Sequence, residues 1–290
     1  MTEMMKDEVI YVDSHMHTTL CKHAFGEPEE YAEMALQRGL KGMIITCHGP
    51  MPDGFWPQVR MDLGQFEEYV VLVERCRKVY EGRLEVRLGL ESDYFPGMEE
   101  WAEKLHAMVP LHYVLGSVHW QGSEYRDRYG DTDEKGFRVS YFENLAASAE
   151  TGLFDCLSHP DLIKNFMPGL WRFEDWEETI AASLDRIAKT GVAMELNTSG
   201  LNKVFKEMNP GPQMLAMMAQ RGIPLVIGSD SHVPHRVGDR HLEALEMAQQ
   251  AGWKTISVFK DRKRQELPIV EVRSQLVAAQ KQAQEVAESR

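Results

Sequence analysis

Several things are scarce in this chain of 290 residues, and each scarcity excludes something. There is no apolar run near the roughly 18 residues that cross a bilayer, so no membrane partner is expected. Met1–Asp7 is polar and of mixed charge, without the apolar stretch of a secretory signal. There are only four cysteines, Cys21, Cys47, Cys76 and Cys156, and they are scattered. That spacing matches neither a disulfide framework nor a zinc ribbon, and it points to a reducing, cytoplasmic setting. Positive charge is in deficit: 32 Lys and Arg against 45 Asp and Glu leave a net charge of −13. A non-specific nucleic-acid binder needs the opposite balance, so no nucleic-acid partner is expected. No Gly-x-Ser-x-Gly elbow is present and no cysteine sits in a nucleophile motif, which argues against a serine or cysteine hydrolase. Repeats, low-complexity tracts and dividing linkers are absent as well.

What is present is alternation. Short runs rich in Val, Ile and Leu occur at Val9–Val12, Lys41–Cys47, Leu84–Leu90, Tyr113–Val118, Leu153–Leu157, Val192–Leu196 and Leu225–Gly228. Between them lie amphipathic stretches that read as helices, at Pro28–Arg38, Gln65–Tyr80, Glu99–Met108, Ser140–Glu150, Phe173–Lys189, Pro212–Arg221 and Arg240–Gln250. Gly39, Gly82, Gly152, Gly191 and Gly222 follow helices as C-terminal caps do. A weaker run, Thr255–Phe259, is an eighth strand or a closing element, and Val270–Ser289 reads as a final helix. Repeated strand–helix alternation predicts an α/β fold with a parallel sheet. At this length a closed barrel is favoured over an open doubly wound sheet, since no glycine-rich phosphate loop follows the first run.

Each apolar run ends in residues able to bind metal. In order these are Asp13-Ser14-His15-Met16-His17, Cys47-His48, Glu91 with Asp93, His119, His159, Glu195 with Asn197, and Ser229-Asp230-Ser231-His232. In a parallel barrel all of them converge on the C-terminal face, where such barrels keep their active sites. Residues i and i+2 of a strand point the same way, so His15 with His17, and Asp230 with His232, can both face the barrel mouth. Imidazoles with a few carboxylates suit Zn, Mn or Fe. The candidates are too many for one ion. A shared carboxylate, for which Glu91 is the best placed, would bridge two ions and a hydroxide, and such a centre supports hydrolysis at phosphorus. His23 lies in the loop Cys21-Lys22-His23-Ala24, where either His23 or Cys21 can serve as a ligand. Glu195 is a ligand or a partner that orients a histidine, and Asp13 takes the orienting role. His106, His112 and His241 read as structural or solvated.

Taken together these motifs resemble the polymerase and histidinol phosphatase (PHP) superfamily. Asp13–Thr18 and Cys21–Ala24 look like its opening, and Leu88–Tyr94 like its bridging-glutamate motif. Gly116–His119 and Phe154–Asp161 are similar to the middle motifs; Glu195–Gly200 and Gly228–His232 complete the set. The resemblance runs from about Tyr11 to Gly238. It implies a distorted TIM-like (β/α)7 barrel, residues 1–290 forming one domain, with two to three divalent ions at the C-terminal ends of the strands. Carried over by motif, one ion takes His15, His17, Glu91 and Asp230; a second takes Glu91, His119 and His159; a third takes His23, His48 and His232.

Within the superfamily the motifs are most similar to those of the monofunctional histidinol-phosphate phosphatases. The resemblance therefore implies a phosphomonoesterase that releases phosphate from L-histidinol phosphate, a small ester of histidine biosynthesis. Glu91, Asp230 and His232 would carry the chemistry. Lys203, Lys164, Arg172 and Arg236 are the candidate cations for phosphate, with Asn197 as a further substrate contact. Asp93, Asp161 and Glu195 are the carboxylates considered for the amino and imidazole groups. The charged segment Gln121–Gly136 does not align with the family and is expected to overhang the site. Two other readings stand beside this one: a phosphoesterase of the same superfamily acting on another small ester or nucleotide, and a non-catalytic metal-binding module. No missing ligand favours the module. Nothing in the chain marks an oligomer interface.

Overall fold

The apolar runs become the seven strands of one parallel sheet, in a computed structural model that describes residues 9–130 and 132–288. They are β1 (Val12–Asp13), β2 (Gly42–Ile45), β3 (Glu85–Asp93), β4 (Tyr113–Ser117), β5 (Cys156–Leu157), β6 (Ala193–Asn197) and β7 (Leu225–Gly228). Their spatial order is their chain order, β1 to β7, each parallel to the next. The strands are buried almost throughout, as continuous Val/Ile/Leu runs in a parallel sheet require. Closure comes at the C-terminal end, where Met16 bridges Ser231 in parallel. There the His17 N–H donates to Ser231 O at 2.9 Å and the Ser231 N–H to His15 O at 3.1 Å. Asp13 ties the same seam, its carboxylate accepting from the backbone N–H of Ser229 at 3.0 Å and of Gly238 at 2.8 Å. The molecule is thus a TIM-like barrel of seven strands, nearly closed.

Helices fill the connections: α1 (Pro28–Gln37), α2 (Phe66–Val79), α3 (Glu99–Ala107), α4 (Ser123–Tyr129), α5 (Glu134–Glu150), α6 (Glu177–Ala188), α7 (Pro212–Gln220), α8 (His241–Ala251) and α9 (Ile269–Glu288). α1 shows how local sequence sets the ends. Pro28 opens it, Glu27 and Glu30 exchange backbone hydrogen bonds as a capping box, and Tyr31, Ala32 and Ala35 form its buried face. It stops because Gly39 takes a φ of +76°, which side chains resist.

Four expectations need correction. Thr255–Lys260 (β8) pairs antiparallel with Lys263–Pro268 (β9) in a separate hairpin, so it is not an eighth barrel strand. The helix placed at Ser140–Glu150 begins at Glu134, where the Asp133 carboxylate caps the Gly136 N–H at 2.7 Å. The stretch from Phe173 opens as a 3₁₀ turn before α6. Gln121–Gly136, to which the sequence pattern assigns no secondary structure, contains α4 and the first turn of α5. Met1–Asp7 and Ser289 lie outside the described residues. Among the described residues no helix is long and apolar enough to cross a membrane.

Candidate metal centre

Glu91, fully buried near the end of β3, is the hub of the C-terminal face. Its Oε2 lies 2.8 Å from His48 Nδ1, 3.4 Å from His15 Nε2 and 3.6 Å from His17 Nε2. Its Oε1 accepts from Ser117 Oγ at 2.6 Å and faces His159 Nε2 at 3.1 Å and His119 Nε2 at 3.6 Å. Across the mouth, Asp230 Oδ1 lies 3.2 Å from His17 Nε2 and 3.6 Å from His15 Nε2. His23 and His232 complete the ring, with centroids 4.5 Å apart, and His232 stacks on His17 at 3.9 Å. All nine residues expected as ligands, His15, His17, His23, His48, Glu91, His119, His159, Asp230 and His232, therefore meet at one place.

The rings are held from behind. His15 Nδ1 is 2.7 Å from Glu195 Oε1, and His119 Nδ1 is 2.7 Å from Asp93 Oδ1. The Nδ1–H of His23 donates to Cys21 O at 2.7 Å, and that of His232 to Asp230 O at 3.0 Å. Each contact fixes a ring and leaves its other nitrogen for the centre, as a metal-binding histidine requires. Glu195 also accepts from the His159 N–H at 2.9 Å, so one carboxylate sets two of the histidines. Gly228 makes this possible: a Cβ there would lie 2.1 Å from Glu195 Oε1 and 2.7 Å from His15 Cβ. His159 and Asp230 adopt φ of +27° and +49°, strained values for side-chain-bearing residues, as backbone bent to aim a site often does.

Charge and hydrogen bonding are unbalanced in this cluster. His15 Nε2, His17 Nδ1, His48 Nδ1, His232 Nε2 and Glu91 Oε2 are buried without a hydrogen-bond partner; His48 is close to Glu91 but misaligned. Each such atom costs about 1–3 kcal/mol if nothing meets it. Burial drives His48 down to about 4 against the pull of Glu91, while burial of His17 is outweighed by Asp230 and it rises to about 9. Burial opposes ionisation of Glu91, yet His48 and His15 hold its carboxyl well below the usual range. An anionic carboxylate pair surrounded by imidazoles that cannot all be protonated is a set of donors suited to cations. Three of these groupings, His15/His17/Asp230, His48/Glu91/His119 and His17/His48/His232, have ligand atoms all within 4.8 Å of one another. Cys21 also falls within such a group, with His23 and His232, so both candidates of that loop remain in reach.

The proposed substrate contacts separate. Lys203 lines the cavity above the cluster, its Nζ 3.4 Å from Asp230 Oδ2. Lys164 is not available: it is fully buried, and its ammonium is used by Asp161 at 2.9 Å, Glu207 at 3.0 Å and Met208 O at 2.6 Å. Arg172 is exposed and paired with Asp175 at 3.2 Å, outside the cavity. Arg236, on the turn Pro234–Arg236, does not line the cavity. Asn197 braces the frame instead, donating to Glu195 at 3.0 Å and accepting from the Ser199 N–H at 3.0 Å. The three carboxylates considered for the substrate's nitrogen groups are all buried and engaged. Asp93 serves His119 and Arg60, Asp161 serves Lys164 and Asn209, and Glu195 serves His15. Trp56, Val59, Gln121 and Leu162, which line the mouth, carry no sequence signal because they sit in irregular connections. Ser117 and Ser158 touch Glu91 and were legible only as neighbours of His119 and His159.

The cavity measures about 130 Å³. A larger hollow of about 910 Å³ lies at the opposite end of the barrel, against Ile10, Lys41, Glu85 and His112. None of the metal-ligand groupings falls there. The candidate ligands line the smaller space.

The PHP domain model matches residues 13–199. A probable histidinol-phosphatase of Deinococcus radiodurans is 40% identical over 260 residues, covering 87% of this chain and 98% of the relative. The histidinol-phosphatase of Bacillus subtilis is 28% identical, covering 81% and 98%. A histidinol phosphate phosphatase of Lactococcus lactis, solved with zinc, L-histidinol and phosphate, superposes with a TM-score of 0.75 at 18% identity. The superposition covers 88% of this chain and 98% of that one, and shows a shared fold. The matched segment takes in the strand ends from Asp13 to Ser199 that supply seven of the clustered side chains, and the chain belongs to the PHP domain family.

Proposed function

We propose that this protein is a metal-dependent phosphomonoesterase that hydrolyses L-histidinol phosphate to L-histidinol and phosphate. The observation that carries this reading is the Glu91 hub, with unpartnered histidine nitrogens converging on one buried carboxylate. The likeness to histidinol-phosphatases along most of the chain supports the choice of substrate.

His15, His17, Glu91 and Asp230 would hold one divalent ion, Glu91, His119 and His159 a second, and His23, His48 and His232 a third. Two to three such ions, zinc, manganese or iron, would neutralise phosphate oxygens and acidify the attacking water. The chain's own residues supply the rest. Lys203 places an ammonium beside Asp230, where it binds a phosphate oxygen. Asp230 stays anionic: burial opposes this, but Lys203 and His15 hold its carboxyl well below the usual range. Its anionic oxygens are placed to orient the attacking water by accepting a hydrogen bond from it. Ser199 Oγ, donating to Asp230 Oδ2 at 2.8 Å, fixes that oxygen. His232, stacked on His17, closes the same side. Glu91, Asp230 and His232 are thus the proposed catalytic groups. The small cavity takes the phosphoryl group, and the alcohol extends toward the mouth.

The test is phosphate release by metal-reconstituted protein from L-histidinol phosphate and from a panel of nucleotide and sugar phosphates. A kcat/KM for histidinol phosphate at least about 100-fold above the panel, a margin of about 2.7 kcal/mol, is expected. A flat profile would retain a phosphoesterase of another substrate, and no turnover with metal bound would leave a non-catalytic module.

A further inference from the structure

The mouth of the cavity is asymmetric. Its base is imidazole and carboxylate, while Trp56, Val59, Leu162 and Gln121 form its upper wall. A space of about 130 Å³ is below the usual size of a small-molecule site and suits little more than a phosphoryl group. The organic part of a substrate must lie against that wall. Trp56 is the large flat surface in it, its ring centroid 5.8 Å from that of His119.

Trp56 is held in an unfavourable backbone conformation, φ +42°, by contacts from three sides. Its backbone N–H donates to Glu124 Oε1 of α4 at 2.8 Å. Its carbonyl accepts from Arg60 Nε at 3.2 Å, and the Arg60 guanidinium lies 5.8 Å from its ring centroid. Gly122 lies beside the indole, where a Cβ would make ordinary van der Waals contact with Cε3 at 3.4 Å. Arg60 is itself buried and pairs with Asp93, the carboxylate that orients His119. It also donates to Gly49 O, next to His48, at 3.2 Å. The indole is thereby registered to two residues of the metal centre. The left-handed backbone at Trp56, fixed by a carboxylate and a buried arginine, sets where its side chain lies.

We propose that Trp56 is the specificity-determining residue of this enzyme, the face on which the substrate's imidazole ring stacks. This rests on the reading of the substrate as L-histidinol phosphate. A planar heteroaromatic ring, cationic when protonated, gains from the negative face of an indole, and an aliphatic chain gains less. The segment Gln121–Gly136 then contributes through Glu124, which fixes the Trp56 backbone, and through Gly122 and Gln121 near the indole.

The experiment compares kcat/KM for L-histidinol phosphate and L-leucinol phosphate, an aliphatic amino-alcohol ester, in the wild type, Trp56→Leu and Trp56→Phe. The ratio of the two values is expected to fall about 10-fold in Trp56→Leu, mostly through KM for histidinol phosphate, and to be largely kept in Trp56→Phe. Metal content and melting temperature are measured on each variant, so that a collapsed centre is recognised. Glu124→Ala, which removes the acceptor of the Trp56 backbone N–H and leaves the indole in the chain, gives a smaller fall in the same ratio. In the wild type L-histidinol quenches indole fluorescence, and Trp56→Phe lacks that component. A ratio unchanged in Trp56→Leu, or equal losses on both esters, overturns the proposal. Wild-type protein that releases no phosphate from histidinol phosphate overturns the substrate reading itself, a distinct outcome.

Discussion

The two ends of the barrel carry the same residue types and use them oppositely. At the N-terminal end, around the larger hollow, charged groups are matched: His112 pairs with Asp261 at 2.8 Å, Arg87 with Glu85 at 3.0 Å, and Arg77 with Glu74 at 2.7 Å. At the C-terminal end, histidine nitrogens and a glutamate oxygen are buried and unmatched. Volume would point to the first end, chemistry to the second. Buried polar atoms without partners also occur singly elsewhere, as at Tyr113 and Trp176; what marks the site is their convergence with imidazoles on one carboxylate, not empty space.

The hardest blow to this contrast is removal of the hub. Glu91→Gln keeps the shape and loses the charge shared among the histidines, and activity is expected to drop at least about 1,000-fold, the several kcal/mol a metal centre supplies. Phosphate release at saturating metal measures it; activity within about 10-fold of wild type would remove Glu91 from the centre. Next comes the layer behind the ligands. Asp93→Asn frees His119 from its anionic partner, and a loss of about 10- to 100-fold in metal affinity is expected, read by competition with a chelating dye. Lys203→Met removes the cation that lines the cavity. It should raise KM about 10-fold while leaving metal content intact, as expected of a charged hydrogen bond to substrate.

The smallest effect concerns a histidine that already has its partner. His106 packs on Ser92, its Nε2 3.0 Å from Ser92 Oγ, and burial lowers it from 6.5 to about 4. Between those values the unfolded chain takes up a proton that the folded chain refuses. Its contribution to stability is therefore complete above about pH 6.5 and is lost as pH falls toward 4. Melting temperatures over that window should slope less steeply in His106→Gln than in wild type, and identical slopes would deny His106 the role.

Much of this was legible in the sequence. The barrel could be read because the buried strands are largely apolar runs and several helices are followed by a glycine in left-handed backbone, as at Gly39 and Gly191. The clustering of the candidate ligands could be read because a parallel barrel sends every strand end to one face. What failed was the assignment of isolated charges. Lys164, Arg172 and Arg236 look alike as letters, yet one is buried against two carboxylates and a carbonyl, one is solvated, and one lies off the cavity. Trp56 could not be found either, since its position depends on Arg60 and Glu124, which approach from different connections.

The central claim is that the unmatched atoms around Glu91 hold more than one divalent ion. Elemental analysis of protein loaded separately with zinc, manganese and iron, then freed of excess metal, tests it most directly. Two to three ions per chain in the wild type, with fewer in Glu91→Gln, is the predicted result. A wild type that retains one ion or none under every loading condition would contradict it.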